Sequence, residues 1–126
     1  MKLVYFTLTG QTRRFIKKLS LPAYEIDANN PFHAMDEDFI LVVPTYDEDV
    51  TEVVNDFIEY KDNQQHMQGV AGGGNRNFGD LFIYTAKDIA RDYDVPLVFA
   101  FEFNGTEEDV ENFKKVVSEI ESERTN

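Results

Sequence analysis

The chain has 126 residues, 42% of them hydrophobic, with 24 acidic against 12 basic side chains for a formal charge of −12. A chain of that length can bury one core and seldom supports two, so a single domain over residues 1–126 is expected. The acidic balance argues against nucleic acid and membrane surfaces as partners, because both attract basic proteins. The absence of cysteine excludes a disulfide scaffold, a thiolate nucleophile, a zinc–thiolate site and an iron–sulfur cluster.

The opening Met1 to Phe6 is too short an apolar run for a signal peptide, and no window approaches the roughly 20 apolar residues of a membrane span. A soluble, cytoplasmic protein is expected. From there, short apolar runs alternate with stretches of helical period. Leu3 to Phe6 reads as a strand, followed by a helix with Phe15, Ile16 and Leu19 on one face. Ala23 to Ile26 is a weaker strand and Phe39 to Val43 a strong one. Val53, Val54, Phe57 and Ile58 then mark a second helix. Met67 to Ala71 reads as the fourth strand, and Gly72 to Gly79 as a loop. Phe82, Ala86, Ile89, Ala90 and Tyr93 share a helical face. Leu97 to Phe101 is the fifth strand, and Val110, Phe113, Val116, Val117 and Ile120 belong to the last helix. The polar tail from Glu119 to Asn126 is expected to fray.

Strands such as Ile40-Leu41-Val42-Val43 and Leu97-Val98-Phe99-Ala100-Phe101 are apolar at consecutive positions, as a parallel sheet covered on both faces requires. The order predicts a doubly wound α/β domain with five strands. Two helix starts carry an acceptor three residues before an acidic group, Asp49 with Glu52 and Thr106 with Asp109, which is the pattern of a capping box.

In such a sheet, ligands bind beyond the carboxyl ends of the strands, where the strand order reverses. The loops after strands one, three and four are therefore the candidates. In the first, Thr7, Thr9 and Thr12 offer hydroxyls and Gly10 allows close approach. Gln11 opens a helix whose free N–H groups point the same way, which suits a phosphate. By itself the hexapeptide reads first as a threonine-rich helix cap, and its place at the first βα turn of the sheet is what favours a phosphate site. In the second loop, Pro44 stops the strand, Thr45 can donate a hydrogen bond and Tyr46 can stack on a flat ligand. The alternative is that Tyr46 packs on its own domain and Asp47 to Asp49 forms a solvated helix start. In the third, Gly72-Gly73-Gly74 before Asn75-Arg76-Asn77-Phe78-Gly79 frees the backbone to read a heterocycle edge.

Several familiar sites are unsupported. After Gly79 a phosphate loop of the Walker type needs lysine, but the chain has Asp80 and Leu81, and a dinucleotide fingerprint needs its glycines after the first strand. No Gly-x-Ser-x-Gly elbow exists. His33 and His66 have no partner at metal-ligand spacing. A receiver-type signalling module needs an aspartate near the end of strand three and a lysine after strand five. Val43-Pro44-Thr45 and Glu102-Phe103-Asn104 stand in those places.

Thr7-Leu8-Thr9-Gly10-Gln11-Thr12 resembles the phosphate loop of flavodoxins. Thr9-Gly10, Thr12 and Arg14-Phe15, followed by Pro44-Thr45-Tyr46 and Gly74-Asn75-Arg76-Asn77-Phe78-Gly79, look like the NrdI family. Phe101-Glu102-Phe103 with Gly105-Thr106 and Asp109-Val110-Glu111 is similar to that family's last strand and helix. The resemblance implies a flavodoxin-like three-layer sandwich with strand order 2-1-3-4-5. It further implies an FMN protein that partners the radical-generating subunit of class Ib ribonucleotide reductase, its reduced flavin reacting with O2 to supply superoxide. Carried over, Thr7, Thr9, Gly10, Gln11 and Thr12 hold the phosphate. Thr45 and Tyr46 flank the isoalloxazine, Asn75, Asn77, Phe78 and Gly79 border its pyrimidine side and edge, and Asp47 and Gly74 are counted with the cofactor-binding residues. The rival with the same fold and cofactor is a general flavodoxin electron carrier.

Many family members carry glycines after Pro-x-Tyr, where this chain runs Asp47-Glu48-Asp49. A carboxylate about 8 Å from the flavin at an effective dielectric near 20 costs an anionic reduced ring roughly 2 kcal/mol. For one electron that is on the order of 90 mV, so a lowered potential for the second reduction step is expected. Arg13, Arg14 and Arg76 are expected either on a partner surface or in solvent.

Overall fold

The structure, a computed structural model, describes residues 1–45 and 48–125, with backbone alone at 48–51, 78, 80, 81 and 125. Strands β1 (Lys2–Tyr5), β2 (Ala23–Glu25), β3 (Phe39–Val43), β4 (Met67–Gly74) and β5 (Leu97–Glu102) pair in parallel in the order β2-β1-β3-β4-β5. Every residue of β3 is buried, because this central strand has helices over both faces. Alternate side chains divide between two cores. Leu3, Ile40 and Val42 join Phe15, Ile16 and Leu19 of α1 (Gln11–Leu19) and Phe113 and Val117 of α5 (Glu107–Thr125). Val4, Leu41 and Val43 join Val54, Phe57 and Ile58 of α2 (Glu48–Glu59) and Ala86 and Ile89 of α4 (Tyr84–Asp92). The result is the expected three-layer, flavodoxin-like arrangement.

The first core is built around Phe15, whose ring stacks on Phe101 at 4.0 Å and on Phe113 at 5.7 Å between centroids. Each such pair adds about 0.5–1.5 kcal/mol beyond the burial itself. On the other side the segment before β3 is fastened by Asn63, which opens the short helix α3 (Asn63–His66) and is fully buried. Its Oδ1 accepts the Met35 N–H at 2.7 Å, and its Nδ2 donates to the His33 and Phe57 carbonyls at 2.8 Å each.

Local signals resolve as their chemistry dictates. The Thr106 hydroxyl accepts the Asp109 N–H and the Asp109 carboxylate accepts the Thr106 N–H, both at 3.0 Å, which closes the capping box ahead of α5. The Asp49 side chain of the other pair lies outside the described residues.

Four expectations need correction. Gly72 to Gly74 are strand, not loop. A Cβ on Gly72 would sit 2.6 Å from the Ala86 Cβ, and one on Gly73 would sit 2.7 Å from the Phe101 ring. The glycines therefore let α4 and Phe101 close onto the sheet. The tail from Glu119 is helical through Thr125, held by the Met1 ammonium on Glu121 at 2.5 Å and by Arg124 on Asp38. Strand β5 is an edge with Leu97 39% exposed, so only part of it is covered on both faces. Phe82 lies in the turn before α4 rather than on its face.

Candidate functional site

The strand order reverses between β1 and β3, and the crevice expected there is present. A cavity of about 290 Å³ is lined by Thr9, Gln11 and Thr12 from the first turn, Pro44 and Thr45 after β3, Gly73, Gly74 and Asn75 at the end of β4, and Phe103 after β5. Outside it, sharing Thr9, lies a polar depression of about 490 Å³ lined also by Thr7, Leu8, Gly10, Arg13, Arg14 and Lys17.

The first turn is shaped by Gly10, whose φ of 89° is a left-handed value that suits glycine. Its N–H donates to the Thr7 hydroxyl at 3.1 Å, folding the loop back on itself. Gly10 is the N-cap of α1 and has no side chain to cap it, so among the described residues the first-turn N–H groups remain available at the mouth of the cavity. Thr12 stands in that first turn, only 2% exposed. Among the described residues its hydroxyl has no hydrogen-bond partner. A buried hydroxyl left alone costs stability, so this one marks a place where an acceptor or donor is missing from the free protein.

The opposite wall is a close-packed backbone. The Thr45 hydroxyl donates to the Gly73 carbonyl at 2.8 Å and ties the loop after β3 to β4. A Cβ on Gly74 would lie 2.9 Å from the Thr45 Oγ1 and 3.1 Å from the Ile83 nitrogen, so glycine is required there. The Asn75 Oδ1 accepts the Asn77 N–H at 2.9 Å and caps a 3-10 helix over Arg76–Leu81. Gly79 within that segment has φ 59° and ψ −121°, which only glycine adopts readily. Ile83 begins α4 at φ 52°, an unusual value for a β-branched residue, and packs against the Gly72 and Gly74 backbone.

Two ion pairs hold the surroundings. The Arg13 guanidinium bridges Glu25 at 2.7 and 2.9 Å beside the half-exposed rim of β2. The hydrogen bond from Arg13 lowers the Glu25 carboxyl below the usual glutamate range, and the pair raises the guanidinium further. Burial, and then Glu25, raise the Tyr5 phenol next to them. Arg76 pairs with Glu102 at 3.0 Å and lies over the Phe82 ring at 4.5 Å. These two arginines, expected on a partner surface or in solvent, are exposed at 44% and 61% of their side chains while making these pairs.

The structure gathers Thr9, Gln11, Thr12, Thr45, Gly74 and Asn75 around the inner cavity, and places Thr7 and Gly10 on the adjoining depression. Asn77 and Gly79 sit on the following 3-10 helix and line neither. Tyr46 and Asp47, with the Phe78 side chain, lie outside the described residues. So does the Glu48 side chain, and with it the expected effect of the acidic loop on potential. Phe103 was absent from the sequence candidates. The signal was available, because a fifth parallel strand delivers its following turn to the same edge of the sheet.

A five-stranded parallel sheet of this order, with an uncapped helix and a hydroxyl-rich turn at the reversal, defines a flavodoxin-like α/β protein. The family described as NrdI flavodoxin-like matches residues 3–115, and the chain belongs to it. The fold is also that of a solved short-chain flavodoxin associated with a bacterial microcompartment, at a TM-score of 0.61 and 21% identity over 93% of each chain.

Proposed function

We propose that this chain is a single FMN-binding domain over residues 1–126 that activates the radical-generating subunit of a class Ib ribonucleotide reductase in the cytoplasm. The observation that carries the cofactor assignment is the buried Thr12 hydroxyl, without a partner among the described residues, beside the start of α1. That donor set fits a phosphate, since neutral hydroxyls and backbone N–H groups can surround a dianion without lysine. Family membership supports the reductase subunit as partner.

Thr7, Thr9 and Thr12 donate hydroxyls to the phosphate, with the N–H groups of Gln11 and Thr12, while Gly10 removes any side chain from its path. Thr45, held by Gly73, would form with Gly74 and Asn75 the backbone wall against which the ring lies. By family resemblance, Tyr46, Asp47, Asn77, Phe78 and Gly79 complete the ring environment. When bound and reduced, FMN supplies the electron that converts O2 to superoxide for the partner. Leu8, 48% exposed on the outer depression, gives this edge of the sheet an apolar side chain suited to a protein surface.

The test is the absorption spectrum of the purified protein, followed by stepwise anaerobic reduction and exposure to O2 with and without the reductase subunit. A flavin spectrum, and faster superoxide formation in the complex, are expected. Bound flavin that ignores the subunit and reduces a separate acceptor would replace activation with electron carriage. A colourless protein that fails to take up added FMN would overturn the cofactor assignment itself.

A further inference from the structure

The turn after β5 is built more firmly than a connection to a helix needs. The Phe103 N–H donates to the Gly74 carbonyl at 3.1 Å, and the Gly105 N–H donates to the Glu102 carbonyl at 2.8 Å. Lys18 reaches from α1 to the Asn104 and Gly105 carbonyls, at 3.1 Å each. Gly105, at φ 73°, leaves no room for a Cβ against the Phe15 ring. The residue this framework presents is Phe103, at φ 51° and 52% exposed, lining the inner cavity.

Both properties are unfavourable in the free protein. A left-handed backbone is one that L-residues avoid, and strain of this kind collects at ligand clamps where the surroundings enforce it. Half of a phenyl ring is also left in water. Glycine or asparagine would satisfy the same turn without either cost. Among the described residues, Phe103 is the one aromatic side chain lining the cavity, whose other walls are threonine hydroxyls, the amides of Gln11 and Asn75, the Pro44 ring and glycine backbone.

We infer that Phe103 is an aromatic wall for the flat ring of the ligand, which makes the turn after β5 a fourth ligand-binding loop alongside those after β1, β3 and β4. The inference rests on the flavin reading above. It separates the labour of the site: the first turn holds the phosphate, and Phe103 contacts the ring. Loss of the ring contact therefore weakens FMN and riboflavin by the same factor and leaves inorganic phosphate untouched.

The test titrates the apoprotein with FMN, riboflavin and inorganic phosphate, in wild type, Phe103→Ala, Phe103→Gly and Phe103→Tyr. Roughly tenfold weaker binding of both flavins is expected for the alanine and glycine variants, which is about 1.4 kcal/mol. Phosphate affinity stays at the wild-type value, and tyrosine restores the flavin affinity. Glycine also relieves the backbone, so at least one ring-free variant keeps the fold. Unchanged flavin binding in both ring-free variants overturns the inference, including where they lose only reductase-subunit binding, since Phe103 then belongs to the docking rim. Equal loss of phosphate affinity also overturns it, by showing a structural effect on the whole site. A wild-type protein that binds phosphate but neither flavin overturns the flavin reading first, and this inference with it.

Discussion

Replacing Thr12 with valine separates a structural role from a ligand-binding one by the sign of a stability change. The two side chains have nearly the same shape and similar helix propensity, so the substitution removes one hydroxyl from a site that is 2% exposed. A capping or packing hydroxyl would be missed on folding. This one has no partner among the described residues, and burying such a group costs about 1–3 kcal/mol. Thr12→Val should therefore stabilise the apoprotein by on the order of 1 kcal/mol. The same change removes a hydrogen bond to a charged phosphate, a contact of about 1.5–3 kcal/mol, so FMN affinity should fall roughly tenfold to a hundredfold. Urea unfolding of the apoprotein gives the first quantity and a fluorescence titration the second. A valine variant less stable by about 1 kcal/mol would show that the hydroxyl is already paired in the free protein, and unchanged affinity would remove Thr12 from the site.

Asn63→Ala strips a buried donor, a buried carbonyl and a part-buried carbonyl of their partner at once, so a loss of about 3 kcal/mol is expected in urea unfolding, and less than about 1 kcal/mol would contradict the fastening role. Gly74→Ala must displace Thr45 or the Ile83 backbone, so FMN affinity should fall together with about 1–3 kcal/mol of stability. Gly79→Ala meets no atom within 4 Å but is strained at φ 59°, and should cost about 1 kcal/mol without any steric change. For Glu25 the folded carboxyl is lowered, chiefly by the hydrogen bond from Arg13. Its stabilisation is therefore complete above the ordinary glutamate value of about 4.3 and is lost as pH falls through the lower folded value. Glu25→Gln should flatten the acid limb of the stability profile, and superimposable limbs would refute the coupling.

The fold was legible because its strongest signals are redundant. Phe39 to Val43 is apolar throughout, as only a strand covered on both faces needs to be, and Phe15, Ile16 and Leu19 repeat at the helical period. The glycine tract misled for a physical reason. Gly72 to Gly74 have the composition of a loop, while the need for them is tertiary: Ala86 and Phe101 approach the strand more closely than any Cβ permits. Glu119 to Thr125 reads as polar and frayed because its anchors, Met1 and Asp38, are distant in sequence. At the site, the threonine turn could be placed because hydroxyls, glycine and a helix start lie within six residues. Phe103 could not be placed by local pattern, since a left-handed phenylalanine leaves no mark in composition. It follows only from the topology that brings the β5 turn to β4.

The arrangement of charge around the cavity has its own logic. Four of the 12 basic residues fall at 13, 14, 17 and 18, beside the candidate phosphate turn. Yet Arg13 is neutralised by Glu25, and Lys18 is spent on two carbonyls of the β5 turn. Arg14 and Lys17 line the outer depression with Arg13, and no lysine or arginine is among the described residues lining the inner cavity. The pull on a phosphate there comes from the start of α1 and from neutral donors, whose effect fades within about a helical turn. At longer range a chain of charge −12 repels anions, with salt screening that repulsion beyond roughly 8 Å. A free anion is thus disfavoured on approach and gains only short-range contacts on arrival. A phosphate carried on a flat ring gains the contacts of the cavity as well, so selectivity for the whole molecule arises from separating charge at a distance from hydrogen bonds at contact.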